Sequence, residues 1–357
     1  MKRDRRIWVW FFVFGLSTQL VAQPGIEKGV DYYEEGNYAE ASAFFIEYID
    51  ENPRDAVAYY YMGRIYFERE EFEKATSQFE KAAEIDQTNG LYYMWLGHSF
   101  GRRAQNSSRI RQPFLASKCR QNYEKSVELA PENIEARESL IDFYLQAPGF
   151  MGGGRDKAES QAVAIFDIDP VAGYMARGRI HEYYKEEAKA LVNYWKSIEE
   201  YPKGMPPYYK LFNLFFTKQD YQSAAEIAKQ QLSHNDTTVA IYINFGNALQ
   251  RNNQFDESLD QYLKALEMDS TAISAHYQIG RIAAVSGNYL ELGKEHIQKF
   301  LQERVRYNEV TLAWAHIRLG AIYEHLEDPE SAKAEYQKAI KVNPDNEEAK
   351  QSLAKLR

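Results

Sequence analysis

One spacing constrains this chain more than any other feature: small and aromatic residues recur together every 34 residues. The first set consists of Gly29, Tyr32, Tyr38, Ala41 and Phe45. The same residue types recur 34 residues later at Gly63, Tyr66, Phe72, Ala75 and Phe79, with phenylalanine in place of the second tyrosine. Small residues let two helices approach closely, while large residues three and four positions away fill the space beside them. Repetition at this period indicates helix pairs that stack on their neighbours rather than around one central core.

The pattern resembles the tetratricopeptide repeat, a 34-residue helix-turn-helix unit. Later repeats are marked by Gly97, Gly178, Gly246, Gly280 and Gly320, with Phe212 in the place of glycine in one of them. The resemblance implies an all-α fold, a right-handed α-α superhelix of about nine repeats plus a C-terminal capping helix. The nine repeats and the cap are predicted at 23–55, 56–89, 90–133, 134–170, 171–204, 205–238, 239–272, 273–312, 313–346 and 347–357.

Three repeats depart from the ideal length. Extra residues lie between Gly101 and Ser117, in 147–154 and around 304–310, and we expect such insertions to form loops on one face. Proline cannot continue a helix, so prolines are expected to end second helices. They are Pro53, Pro131, Pro170, Pro202 and Pro344.

Residues 1–22 have the anatomy of a secretory signal peptide. A basic segment, Lys2 to Arg6, precedes the apolar run from Ile7 to Leu16. The expected cleavage follows Ala22, with an uncleaved anchor as the alternative. The leader resembles those of Gram-negative envelope proteins, so we expect a periplasmic or secreted protein.

Charge and cysteine content exclude several classes of function. The formal net charge is -9, and removing residues 1–22 takes away four cations and one anion, which leaves -12. An acidic chain repels nucleic acid, so no nucleic-acid partner is expected. With Cys119 as the single cysteine, neither an intramolecular disulfide nor a cysteine metal cluster is available. Cys119 stands where other repeats place alanine, which predicts a buried packing thiol.

No residue pattern points to catalysis, a cofactor or a metal. His181, His276, His296 and His316 fall at packing positions of the repeat. The triple glycine 152–154 lacks the preceding strand and the lysine of a phosphate-binding loop, so we interpret it as a flexible turn. The chain is therefore predicted not to be an enzyme.

The insertion between residues 102 and 120 is basic. It contains Arg102, Arg103, Arg109, Arg111, Lys118 and Arg120, and no acidic residue. Such a run suits a lipid phosphate or an acidic partner, and an ordinary solvated insertion is the alternative. Membrane contact is expected only here or through an uncleaved leader.

In the tetratricopeptide-repeat family the first helix of each repeat lines a concave groove. Positions one and four residues from the signature glycine point into it, and aromatic, methionine and arginine side chains are enriched at binding hot spots. The implied groove residues are Tyr60, Arg64, Phe67, Met94, His98, Met175, Arg179, Glu182, Tyr209, Asn213, Phe216, Ile243, Asn247, Gln250, Tyr277 and Arg281. For each of them, packing against the neighbouring repeat is the alternative.

Two asparagines, Asn213 and Asn244, match those with which chaperone-tail-binding members of the family hold a terminal carboxylate. The cationic positions of that clamp are Tyr209, Ser274 and Gln278 here. This departure argues against recognition of a terminal carboxylate. A side-chain amide offers a donor and an acceptor, so we expect Asn213, Asn244 and Asn247 to hold the backbone of an extended internal peptide.

These observations predict a non-enzymatic scaffold that binds a protein or peptide partner in the groove. The alternative is a structural subunit of a cell-envelope secretion or assembly complex, bound through the outer face or the insertions. An enzyme or sugar-binding module built on the insertion loops is a third hypothesis, which the lack of paired-carboxylate spacing disfavours.

Overall fold

The computed structural model describes residues 25–234, 238–303 and 309–356, and within these ranges it contains helices and no β-strand. The prediction of an all-α helical-repeat fold is confirmed. The leader, residues 1–22, lies outside the described residues, as does most of the third insertion, 304–308. No helix in the described ranges is both long and apolar enough to cross a membrane.

The chain divides into two compact parts, here called the N-terminal half (residues 1–200) and the C-terminal half (residues 201–357). Consecutive helices of the N-terminal half pack against each other, and α7 also contacts α9. From residue 25 onward, where the structure describes this half, its α-helices are α1 (Glu27–Glu34), α2 (Tyr38–Glu51), α3 (Ala56–Glu68), α4 (Phe72–Ile85), α5 (Gly90–Gln105), α6 (Gln112–Leu129), α7 (Ile134–Gln146), α8 (Arg155–Ile168), α9 (Pro170–Tyr183) and α10 (Glu187–Glu200).

The C-terminal half repeats this arrangement, and α13 contacts α15, which in turn contacts α17. Its helices within the described residues are α11 (Met205–Thr217), α12 (Tyr221–His234), α13 (Val239–Arg251), α14 (Phe255–Met268), α15 (Ile273–Ser286), α16 (Leu290–Gln302), α17 (Glu309–His325), α18 (Pro329–Val342) and α19 (Glu347–Lys355).

The signature glycines let the two helices of a repeat approach each other. A Cβ atom at Gly63 would lie 2.5 Å from Cε1 of Phe79, and one at Gly246 would lie 2.6 Å from Cε1 of Tyr262. Both rings are fully buried. The ring occupies the space that a side chain on the first helix would need, which is why the glycine and the aromatic residue recur together.

In one repeat of the C-terminal half, the large residue lies on the first helix and the small residue on the second. Phe212 stands at the glycine position of α11, and Ala228 stands on α12 where Tyr262 stands on α14. Both Phe212 and Ala228 are buried. A large residue on the first helix is accommodated because the facing position is small.

The structure corrects the expectation for Pro170. Pro170 begins α9 instead of ending α8, and the carboxylate of Asp169 caps the same helix by accepting from the N–H groups of Val171 and Ala172. Proline suits the first position of a helix because the N–H that it lacks has no partner within the helix there.

The first insertion also differs from the expected loop. Helices α5 and α6 have 16 and 18 residues, whereas α3 and α4 have 13 and 14. Most of the extra residues therefore lengthen the helix pair, and only residues 106–111 connect it. The second insertion, 147–154, contains a 3-10 turn at Gly149–Met151.

Candidate functional site

The position that follows the signature glycine on each first helix carries a polar side chain in most repeats. These side chains are half-buried, so each keeps part of its surface on the open face of its helix. They are Arg64 on α3, His98 on α5, Arg179 on α9, Asn213 on α11, Asn247 on α13 and Arg281 on α15.

In the N-terminal half, Arg64 lies among aromatic rings. Its guanidinium carbon is 3.8 Å from the ring centroid of Trp95 and 5.3 Å from that of Tyr33, and its Nη1 donates to the Tyr60 hydroxyl at 2.7 Å. Phe67 packs edge-on against Trp95. Cation–π contacts of this kind hold a guanidinium in place when its water is removed.

Tyr60 and Met94 do not belong to an open surface. Both are buried in the core of the N-terminal half, where Tyr60 contacts the rings of Phe79 and Tyr92. The expectation that these two residues line the groove is wrong. The position of a residue in the repeat sets the side of the helix on which its side chain lies. At Tyr60 and Met94 that side is covered by neighbouring helices.

His98 shares a hydrogen bond of 2.8 Å between its Nδ1 and the hydroxyl of Tyr123. Burial and, to a smaller extent, the charge of Arg64 lower the pKa of His98 to about 4. His98 is therefore neutral at pH 7 and acts as a hydrogen-bonding group rather than as a cation.

Arg179 lies close to two carboxylates of α7. Its Nη2 is 3.9 Å from Oε1 of Glu138, and its Nη1 is 3.6 Å from Oδ1 of Asp142. On the same helix, Glu182 accepts a hydrogen bond of 2.5 Å from the Tyr194 hydroxyl. Arg179 therefore has two carboxylates nearby, although its Nε and Nη2 are buried without a hydrogen-bond partner among the described residues. Met175 on the same helix is half-buried.

The C-terminal half presents amides on its first helices. Asn213 and Asn244 are half-buried on α11 and α13, and Tyr209 on α11 is 59% exposed. Phe216 stacks on Phe212 with ring centroids 5.3 Å apart. Tyr209 and Asn213 are four residues apart on α11 and therefore lie on one face of that helix.

Other predicted residues hold the repeats of this half together. The Oδ1 atom of Asn247 accepts from the Tyr262 hydroxyl at 2.8 Å, which leaves its amide hydrogens as donors. Tyr277 packs on Phe300, and Ile243 is half-buried in the adjacent core. Gln250 is buried, so its assignment to the groove is wrong. Its Nε2 donates to the backbone oxygen of Gln278 at 3.2 Å.

Gln250 also fixes Arg281, whose Nη1 donates to its Oε1 at 3.0 Å. Burial and, after it, the charges of Arg251 and Arg318 lower the pKa of the Arg281 guanidinium. Within the described residues Arg281 forms no ion pair. Arginine stays protonated at neutral pH despite such a shift. The C-terminal half thus holds a half-buried cation whose bonded partner is neutral.

The sequence pattern did not lead us to Arg318 or Arg251, although the repeat contains a position that identifies Arg318. The position two residues before the signature glycine is Asn244, Gln278 and Arg318 in successive repeats. Comparing the residues at that position across repeats, as we did for the position after the glycine, identifies Arg318. Its Nη1 donates to a carboxylate oxygen of Glu348 at 3.1 Å.

Three of the four histidines predicted at packing positions, His276, His296 and His316, are buried, and Cys119 is buried too. The fourth, His181, is half-buried and pairs with Glu186. Burial raises the pKa of the Cys119 thiol to about 12, so the reactive thiolate is scarce at neutral pH. In the part of the chain that the structure describes, no three His, Cys, Asp or Glu side chains form a group able to hold a metal.

Family models described as tetratricopeptide repeat match residues 32–96, 238–268 and 313–346. Among curated proteins, the chain is 22% identical over 292 residues to tetratricopeptide repeat protein 37 of Xenopus laevis, which covers 79% of this chain. It is 24% identical over 238 residues, 63% of the chain, to the peroxisomal targeting signal receptor of Candida albicans. The aligned parts span only 16% and 37% of these relatives.

Two solved structures are also similar. YrrB, described as a tetratricopeptide-repeat protein with an unusual peptide-binding site, gives a TM-score of 0.47 at 20% identity and covers 55% of this chain and 98% of its own. A tetratricopeptide-repeat protein of Parabacteroides merdae gives a TM-score of 0.46 at 15% identity, with 70% and 94% covered.

The helix pairs, the glycine-to-ring packing and the three matching segments agree with one another. These three segments of the chain are tetratricopeptide repeats.

Proposed function

We propose that this protein is a non-enzymatic scaffold that binds an extended polypeptide along the first helices of its C-terminal half. The proposal names α11, α13 and α15 as the binding elements. Asn213 and Asn244 contact the backbone of the partner, and Arg281 contacts an acidic side chain of it.

The observation that carries this proposal is the environment of Arg281. A guanidinium that has lost part of its hydration is stabilised by a carboxylate. Among the described residues, Arg281 has only the amide of Gln250 as a hydrogen-bond partner. The charges of Arg251 and Arg318 add to the positive potential at this point. A carboxylate of the partner would offset the cost of the buried charge, and this gain exists only in the complex.

The amides supply the rest of the recognition. Asn213 and Asn244 are half-buried and carry donors and acceptors suited to a peptide backbone. Asn247 contributes donors only, because Tyr262 occupies its oxygen. Recognition of this kind depends weakly on the partner's sequence, so the acidic side chain at Arg281 would set the register.

Similarity to a named receptor supports a polypeptide partner. One relative is named a receptor for a peroxisomal targeting signal, and it aligns with 63% of this chain.

The location of this protein is a separate part of the proposal. It rests on the basic and apolar leader of residues 1–22, which favours export to the periplasm or beyond.

Photocrosslinking in the native cell tests the proposal. A benzoylphenylalanine at Tyr209, which is 59% exposed on α11, is compared with one at Met268, which is 46% exposed at the end of α14. We expect the first position to capture a defined polypeptide that the second does not. Equal capture at both positions, or capture at Met268 alone, would refute binding along the first helices.

Synthetic peptides that tile the captured protein then locate the bound segment. Replacing Asn213 and Asn244 together with alanine removes hydrogen bonds worth ~0.5–1.5 kcal/mol each, so affinity for the bound peptide should fall about tenfold. Unchanged circular dichroism is the control for folding. Undiminished affinity in a folded variant would exclude the amides from the site.

A further inference from the structure

The two insertions of the N-terminal half form a surface that the repeat architecture does not need. We call residues 106–114 and 147–154 the insertion surface. It carries the three most exposed large apolar side chains among the described residues: Ile110 is 90% exposed, Phe150 is 86% exposed and Phe114 is 63% exposed. Exposed apolar side chains that cluster on one surface mark an interaction site.

The backbone holds Phe150 in this exposed position. The turn around it is closed by hydrogen bonds from Met151 to Pro148, from Gly153 to Pro148 and from Gly154 to Tyr144. A Cβ atom at Gly153 would lie 1.8 Å from the backbone oxygen of Ala147, so only glycine fits there. The triple glycine is therefore a tightly hydrogen-bonded turn, not the loose one that we expected from the sequence.

The two insertions lie side by side. A cavity of about 640 Å³ opens between them, lined by Arg109 and Pro113 from the first insertion and by Phe150 and Met151 from the second. Phe114 follows Pro113 in the first turn of α6. Phe150 therefore lines this opening, and Ile110 and Phe114 are next in the chain to Arg109 and Pro113, which also line it.

Arg109 lines this opening together with one acidic residue, Asp142, and further cations lie on the adjacent segments. Arg103 and Arg120 pair with Glu73 and Glu124, and Arg120 lies on the α6 side of the second insertion. Arg109 and Arg111 are exposed, and within the described ranges neither has an acidic partner. On the other side, Nζ of Lys157 donates to the backbone oxygen of Gly152 at 2.9 Å.

We propose that the insertion surface binds the surface of a membrane that contains anionic lipids. Ile110, Phe114 and Phe150 would enter the boundary between headgroups and acyl chains, and Arg109 and Arg111 would contact lipid phosphates. The exposure of the apolar side chains distinguishes this occupant from a peptide. Ile110 and Phe150 project almost entirely into solvent, as side chains that penetrate an interface do, and do not form the half-covered walls of a peptide slot.

The charge distribution supports an anionic surface. The chain has a net charge of -9, while residues 102–120 contain six cations and no acid. An anionic membrane repels most of this protein and attracts this segment, so the protein would approach it with the insertion surface foremost. This inference is independent of the proposed peptide site, which lies in the other half of the chain.

An environment-sensitive fluorophore placed in the full chain tests the proposal. In a Cys119→Ala background, which removes the single cysteine, nitrobenzoxadiazole is attached at Ile110→Cys or, as a matched control in the same half, at Val192→Cys. Val192 is 53% exposed on α10. Because the label reports only its own surroundings, binding through the apolar segment 7–16 does not by itself produce a signal at residue 110.

We expect vesicles of one-third phosphatidylglycerol and two-thirds phosphatidylcholine to shift the emission at position 110 to the blue. Pure phosphatidylcholine should leave it nearly unchanged, as should either vesicle at position 192. Replacing Arg109 and Arg111 with glutamine should weaken the vesicle response about thirtyfold, since each basic residue near an anionic surface contributes about a fivefold step. Phe150→Ser should reduce the shift at saturating lipid.

Three results would overturn the proposal. They are no shift at position 110 with anionic vesicles, an equal shift at position 192, and an unaltered response after loss of both arginines. A shift caused by soluble polyglutamate but not by vesicles would assign the surface to an acidic polypeptide instead.

Discussion

Two repeats of this protein share the same glycine–arginine pair and differ in how their charges are balanced. The Gly178 repeat consists of α9 and α10, and the Gly280 repeat consists of α15 and α16. In the first, Arg179 lies beside Glu138 and Asp142. In the second, Arg281 is bonded to the amide of Gln250.

Their histidines differ in the same way. Nδ1 of His181 in the Gly178 repeat is 2.7 Å from a carboxylate oxygen of Glu186, which Arg155 also binds. Nδ1 of His276 in the Gly280 repeat is 2.7 Å from Nδ1 of His296. The position in the repeat sets where a side chain lies on its helix, whereas residues of adjacent helices decide whether its charge is compensated. The uncompensated repeat is the one that we propose to bind an anionic group.

The largest expected difference between the two repeats concerns packing. A Cβ atom at Gly178 would lie 2.3 Å from Cε1 of Tyr194, whereas one at Gly280 would lie 2.8 Å from Cβ of Ile297. Tyr194 is fully buried and its hydroxyl is held by Glu182. The Tyr194 ring is therefore held in place, and the overlap that an added Cβ atom would create is 0.5 Å smaller at Gly280 than at Gly178.

Gly178→Ala should therefore reduce the free energy of unfolding by about 3 kcal/mol and Gly280→Ala by about 1 kcal/mol. Hydrogen exchange of the amides in α9 and α15 measures both values region by region. Equal losses would show that the ring and the aliphatic side chain resist overpacking alike.

The second difference should appear on acidification. Burial, and after it the charge of His276, lowers the pKa of His296 to about 4, and burial also lowers the pKa of His276. In the unfolded chain a histidine binds its proton near pH 6.5. Between these values the unfolded state binds more protons, so the stabilisation is complete above pH 6.5 and is lost as the pH falls towards 4.

The Gly280 repeat should lose about 2 kcal/mol of protection between pH 7 and pH 5. The Gly178 repeat should lose little, because the hydrogen bonds from Arg155 and His181 lower the pKa of Glu186 and keep that carboxylate charged. Hydrogen exchange at the two pH values, corrected for intrinsic rates, measures the difference. His296→Leu is the control and should flatten the response of α15 and α16.

The repeat itself was predictable from the sequence because its packing rule is local. The spacing of Gly63 and Phe79 reports a contact between two helices of one hairpin, and a single period encodes it. The lengthened α5 and α6 were not predictable, because extra residues in a helix pair and in a loop have the same spacing in the sequence.

The candidate site was predictable only in part, for a related reason. At the position after the glycine Arg281 keeps part of its surface exposed, whereas Tyr60 and Met94, which the same reasoning assigned to the groove, are covered by neighbouring helices. The environment of Arg281 depends on Gln250, one repeat earlier, and on Arg318, one repeat later. Such contacts between repeats have no fixed spacing, so only the structure reveals them.

The smallest expected effect tests the comparison most directly, because it should have opposite signs in the two repeats. Gln278→Glu places a carboxylate one helical turn before Arg281, in a residue whose Oε1 is buried without a hydrogen-bond partner among the described residues. Glu138→Gln removes a carboxylate from Arg179.

At pH 7 and low salt, Gln278→Glu should increase the protection of α15 by about 0.5 kcal/mol, and Glu138→Gln should decrease that of α9 by a similar amount. Both changes should shrink in 1 M salt, where the screening length is about 3 Å. Gln278→Glu should also weaken binding of the acidic peptide severalfold, because the new carboxylate occupies the guanidinium that the peptide needs. If both variants change stability in the same direction, charge balance does not distinguish the two repeats. If Gln278→Glu stabilises the fold and leaves peptide affinity intact, Arg281 is uncompensated for a reason other than binding an anionic partner.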